Sequence, residues 1–129
     1  MKEGSSHTSY HIVSQSDSAL SQGSGELEVL ATPRLIALME NAAMLAVAPA
    51  LAPGETTVGG QISVSHLKPS AVGAEVSATA VLTQVEGRKL TFTLSAAEGE
   101  KRIGEGTHIR FVVRRDKFLS SLPSSSRTE

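Results

Sequence analysis

The chain has 129 residues, 40% of them hydrophobic, which is enough for one domain with one core and too little for two. Twelve Lys and Arg against 13 Asp and Glu give a net charge of -1, with no basic footprint for nucleic acid and no polybasic patch for a membrane surface. Cysteine is absent, which excludes disulfides, thiolate metal sites and a cysteine nucleophile.

Residues 1–9 are polar, lack the apolar core of a signal peptide and read as a flexible N-terminus. No apolar stretch is long enough for a bilayer, so a cytoplasmic protein is expected. Tyr10 to Val13 reads as a short first strand, and the Ser- and Gly-rich Ser14 to Gly25 as a loop. A long helix starts at Thr32-Pro33, with Thr32 suited to the N-cap and Pro33 to the first helical position. Pro49 and Pro53-Gly54 end it. Its apolar residues lie on nearly all sides, so it is expected to be buried on nearly all sides, with Arg34 and Glu40 as the charged interruptions.

After Gly54 the pattern alternates. Ile62, Val64 and His66 share one strand face, Val76, Ala78, Ala80 and Leu82 a second, and Leu90, Phe92, Leu94 and Ala96 a third. Ile103 to Val113 forms the last strand, with Ile109, Phe111 and Val113 on one face and His108 and Arg110 opposite; a short helix over residues 114–119 closes the domain. Residues 10–119 thus form one α+β domain, in the order strand, long helix and a meander of four antiparallel strands, and residues 120–129 form a flexible tail. One sheet covers one side of such a helix. A second copy of the chain, in a two-fold homodimer, is expected to cover the other.

Glu40 is a carboxylate in an otherwise apolar helix, a placement that is costly unless it is paired. The plainer reading puts it on a thin polar stripe with Arg34 and Asn41. His66 continues the apolar face of Ile62 and Val64, which suits either a satisfied core histidine or a general acid-base. Thr32 is explained by capping alone or serves as a reactive or orienting hydroxyl. Gly59-Gly60 marks a strand bulge or a backbone that lets a thioester approach its N–H groups. Arg110 lies on a polar sheet face, at a dimer contact or against a ligand phosphate, which would be that of CoA under the resemblance described next. His7 and His11 show no metal-ligand spacing, and no metal is expected.

The stretch Leu30-Ala31-Thr32-Pro33-Arg34-Leu35-Ile36-Ala37-Leu38-Met39-Glu40-Asn41-Ala42-Ala43 resembles the helix of the fluoroacetyl-CoA thioesterase family in the hot-dog superfamily. The likeness continues through Pro53 to Gly59, Val64-Ser65-His66, Val85 to Leu90 and Ile103 to Arg110. It implies a hot-dog fold, a long helix wrapped by five antiparallel strands, with two sheets joined edge to edge in a dimer and active sites at the interface. It also implies hydrolysis of an acyl-CoA by Thr32, Glu40 and His66, with a Gly59 backbone contact to the thioester and CoA present only as part of the substrate. In the fluoroacetyl-selective enzyme aromatic residues before the helix close over the acyl group. Gln22-Gly23-Ser24-Gly25-Glu26 has none, so a differently tuned acyl specificity is expected. A hot-dog hydratase or dehydratase and a non-catalytic acyl-CoA binding module are the competing readings.

Overall fold

The structure is a computed structural model and describes residues 1–123. The chain runs β1 (Ser6–Ile12), a 3-10 turn (Gln15–Asp17), α1 (Ala19–Gln22), α2 (Thr32–Val47), a second 3-10 turn (Ala48–Ala50), β2 (Glu55–His66), β3 (Glu75–Glu86), β4 (Lys89–Glu98), β5 (Lys101–Arg114) and α3 (Arg115–Ser120). The strands form one antiparallel sheet in the order β1-β3-β4-β5-β2, wrapped around α2 as the resemblance implies. No helix among the described residues is long and apolar enough to cross a membrane.

The alternation in β3 and β4 works as read. Val76, Ala78, Ala80 and Leu82 and then Leu90, Phe92, Leu94 and Ala96 are all buried, against Leu35, Leu38, Met39, Ala42, Ala43 and Val47 of α2. Alanines on the facing β3 surface let the helix lie close to the sheet, and the larger Leu and Phe of β4 fill the curve beside it. One chain does not cover all of α2: Pro33, Ala37, Asn41 and Leu45, spaced by four, remain exposed.

Several expectations need correction. Residues 1–9 are not all loose, because β1 starts at Ser6 and pairs with β3 from Ser6↔Val81 to Ile12↔Glu75. Its polar composition hid it. Inward-facing Ser9 donates to Asn41 Oδ1 at 2.6 Å, and the Thr8 and Thr79 hydroxyls bond at 2.7 Å, so hydrogen bonds replace the apolar alternation. The loop expected over Ser14 to Gly25 holds a 3-10 turn and the single-turn α1.

Thr32 is not the N-cap. Ala31, extended at φ -69° and ψ 139°, takes that position, and its carbonyl accepts the first helical N–H groups from Arg34 and Leu35. The face assignment in β5 is also reversed in burial. His108, Arg110 and Val112 point into the protein, while Phe111 lies on the outer face over Gly60. The expected tail, residues 120–129, begins at the last residue of α3 and from residue 124 lies outside the described residues.

Candidate active site

The sequence candidates gather in two places along α2. Thr32, freed from capping, makes a 2.7 Å hydrogen bond from its Oγ1 to His66 Nδ1 at the end of β2. His66 Nε2 is buried and has no hydrogen-bond partner. Burial pushes the imidazole below its ordinary pKa, against a weaker pull from the Lys68 backbone, so the ring is neutral at neutral pH. This pair lines an open cleft with Ala19, Ser24, Val29 and Lys68.

Glu40 lies eight residues along the helix, about 12 Å by axial rise, and does not touch that pair. It faces Gly59 instead. A methyl group on Gly59 would sit 3.2 Å from Glu40 Oε2, 3.4 Å from His108 Cε1 and 3.7 Å from Arg110 Nη1, so glycine is what leaves space between these groups. The paired register of β2 and β5 slips between Gly59 and Gln61, which makes Gly60 a bulge residue, as the plainer reading held. Glu40, Gly59, Gly60, Gln61, Ile62 and His108 line a second cleft on this side.

The inward face of β5 supplies the electrostatics. His108 is 1% exposed and Arg110 7%. Arg110 Nε donates to Thr57 Oγ1 at 2.9 Å and Nη2 to the Thr57 carbonyl at 3.0 Å, while Nη1 lies 3.1 Å from His108 Nε2. Since guanidinium only donates, His108 Nε2 accepts and Nδ1 carries the proton, which it donates to the Gln61 carbonyl at 2.7 Å. Burial lowers the pKa of His108, joined by Arg110 and opposed by the Gln61 bond and by Glu40. Burial also lowers that of Arg110, and the attraction of Glu40 opposes this. Arg110 is therefore not a surface ligand for a CoA phosphate. All three of its nitrogens face protein partners, and its charge is spent next to Glu40.

Sequence reading missed a further cluster behind Thr32. The Asp17 carboxylate, 7% exposed, accepts from His11 Nε2 at 2.7 Å, from Ser14 N and Oγ at 2.8 Å each, and from Arg34 Nε at 3.1 Å. Arg34 Nη2 also donates to His11 Nδ1 at 3.3 Å, which leaves the proton of His11 on Nε2. Burial alone would raise the Asp17 pKa. The Ser14 backbone, His11 and the Ser14 hydroxyl outweigh it and hold the carboxyl well below the usual range. The Asp17 carbonyl accepts from Ala31 N, so this one residue ties β1, the segment before the helix and the first turn of α2 together. The local signal was Ser14-Gln15-Ser16-Asp17, a capping-box pattern.

Comparison with known proteins adds independent support. Residues 13–116 match the model of the fluoroacetyl-CoA-specific thioesterase family. Over 91 residues, 70% of this chain, the sequence is 45% identical to a fluoroacetyl-CoA thioesterase of Streptantibioticus cattleyicolor, and the match spans 66% of that protein, just under two thirds. A solved structure of the fluoroacetyl-CoA thioesterase FlK superposes with a TM-score of 0.87 at 36% identity, covering 95% of this chain and 98% of that one. A thioesterase-superfamily protein from Thermus thermophilus, 23% identical, shares the fold with a TM-score of 0.85 over 92% of this chain and 88% of its own. The sheet wrapped on a single long helix is thus the hot-dog fold, and the chain belongs to the fluoroacetyl-CoA-specific thioesterase family.

Proposed function

We propose that the chain is an acyl-CoA thioesterase, hydrolysing an acyl-CoA to the free acid and CoA with no cofactor beyond the CoA of its substrate. The observation that carries this reading is Glu40. It is a half-buried carboxylate with no hydrogen bond or ion pair among the described residues, set against the glycine backbone at Gly59-Gly60. A carboxylate that merely stabilised the fold would be paired. One left free beside an open backbone is a base or nucleophile beside a place for an oxyanion.

In this mechanism Glu40 takes a proton from water as the water oxygen bonds to the thioester carbon, and the negative oxygen is met by the Gly59-Gly60 backbone. With Thr32 donating to His66 Nδ1, the neutral ring carries its proton on Nε2. That N–H hydrogen-bonds the sulfur as the C–S bond breaks, so CoA leaves as a thiolate that takes its proton from solvent, and Glu40 returns its own proton to solvent. Direct attack by the Glu40 carboxylate on the thioester carbon, followed by hydrolysis of the anhydride, uses the same groups.

The 12 Å between the two halves, about two turns of helix, argues for a two-fold dimer that joins them at its interface. β2 is an edge strand of 12 residues with Gly59, Gly60, Gln61, Ser63 and Ser65 exposed, a long free edge of the kind that pairs with another strand. The exposed stripe of α2 is the second surface such a partner would cover. A cytoplasmic location fits a CoA-dependent substrate.

Thiol release from a panel of acyl-CoAs tests the reading. Wild type should release thiol, and Glu40→Gln should lose about 10²–10⁴-fold in kcat with its thermal midpoint little changed. Near-normal turnover by that variant would remove Glu40 from the chemistry. Hydration of an enoyl-CoA without thiol release would favour the hydratase alternative.

A further inference from the structure

With Arg110 committed to Thr57 and His108, a different cation stands next to the candidate chemistry. Lys68 lines the same cleft as Thr32 and His66. Its position is fixed by the backbone: Leu67 N and Lys68 N both donate to the Ile103 carbonyl, at 2.8 and 3.4 Å, and Leu30 N donates to the Ser70 carbonyl at 2.8 Å. The Lys68 side chain makes no hydrogen bond or ion pair among the described residues. Asp17, Glu55, Glu98 and Glu105 are each taken by another cation, namely Arg34, Arg88, Lys101 and Arg102. Glu26 and Glu28, exposed in the segment before α2, do not line the cleft.

The other walls suit a short chain with a polar end. Val29, Leu30 and Leu67 offer apolar contact, Ala19 and Ser24 are small, and among the described residues no Phe, Tyr or Trp lines the space. Lys68 lies two residues beyond His66, at most about 7 Å of chain. Its ammonium group is therefore within reach of an atom a few bonds from a thioester carbon held at Thr32 and His66. The phosphates of CoA lie beyond the whole pantetheine arm.

We propose that this cleft takes an acyl group ending in a carboxylate, a monothioester of a short dicarboxylic acid, with Lys68 as the counter-ion. The proposal rests on the thioesterase reading above for the position of the thioester.

Its test is binding of non-hydrolysable thioether analogues of succinyl-CoA and butyryl-CoA, equal in chain length, to the full-length protein by calorimetry. Wild type should bind the carboxylated analogue about tenfold more tightly or better. Lys68→Gln should erase that preference and Lys68→Arg retain it. The preference should persist with the corresponding pantetheine analogues, which lack the nucleotide. Equal binding by wild type, or a preference that survives in Lys68→Gln, overturns the proposal. So does a Lys68→Gln loss that is equal for both analogues and present only with the nucleotide, since that outcome assigns Lys68 to a CoA phosphate. Thiol release from succinyl-CoA and butyryl-CoA reports separately on the thioesterase reading: a binding preference without release sinks that reading alone, and release without preference sinks the assignment of Lys68 alone.

Discussion

Thr32 and His66 meet over a cleft open to solvent, whereas eight residues along the same helix Glu40 faces the buried assembly of Arg110, His108 and Thr57. The first half needs little from the rest of the fold. A helix start and a strand end come together, and two neutral groups share one hydrogen bond. The second half is an electrostatic construction. A guanidinium in the interior is tolerable because its donors are used and a carboxylate lies near, and in exchange it places a fixed positive charge near Glu40. The difference predicts that Arg110 and His108, the buried surroundings of Glu40, are coupled to folding, and that Thr32 and His66 are coupled to turnover.

Arg110→Leu is the strongest way to break that contrast. It leaves Thr57 Oγ1, the Thr57 carbonyl and His108 Nε2 without their donor and removes the positive charge near Glu40, and it should cost about 3–5 kcal/mol of stability. Chemical denaturation measures this. Adding Glu40→Gln to Arg110→Leu should recover part of the loss, because the carboxylate left beside an apolar residue is then neutral. A single variant within 1 kcal/mol of wild type would mean that Arg110 is a passenger in the core.

The two halves also differ in how far sequence reading reached them. His66 was legible because it is the one polar residue on an apolar face, and the structure puts it where that face points. Glu40 was legible for the same reason. Arg110 and His108 were found as candidates but placed on the wrong side, since alternation assigns the apolar Ile109, Phe111 and Val113 to the core. That rule fails here because the inward polar pair satisfies itself, while Phe111 finds cover over the glycine of the bulge. β1 begins four residues before the apolar signal because its inward positions, His7, Ser9 and His11, are polar, and Ser9 bonds to Asn41 instead of excluding water. In each case the information lay in pairing partners far along the chain, which no local period carries.

Asp17→Asn sharpens the comparison from the other side. The variant keeps the shape of the cluster that backs Thr32 and loses the charge that gathers His11, Ser14 and Arg34. It should destabilise by about 1–3 kcal/mol, less than Arg110→Leu, and lower kcat through a displaced Thr32 at temperatures where the protein remains folded. The lowered pKa of Asp17 fixes the sign of its pH dependence. The stabilisation is complete above the unfolded carboxylate pKa of about 3.9 and is lost as pH falls below it toward the folded value. Asp17→Asn should therefore flatten the acid end of a stability–pH curve, and a variant with the same acid slope as wild type would deny Asp17 that role.

The smallest effect separates the halves by pH. His66 and His108 are both pushed below their ordinary pKa by burial, so each is neutral when folded and binds its proton more readily when unfolded. Stability from each is then complete above about pH 6.5 and declines as pH falls through the window below it. His108 holds a donor bond to Gln61 and an acceptor bond to Arg110, and protonation removes the acceptor next to a guanidinium. His66 sits at an open cleft, where protonation removes the acceptor for Thr32 and alters the group proposed to meet the leaving sulfur. Between pH 7 and 5, replacing His108 with Gln should flatten the fall in thermal midpoint, and replacing His66 with Asn should remove the acid limb of kcat/KM along with most of the activity. If instead the His108 variant lost the acid limb of kcat/KM and the His66 variant kept it, the division of labour between the two sites would be the reverse of the one drawn from burial.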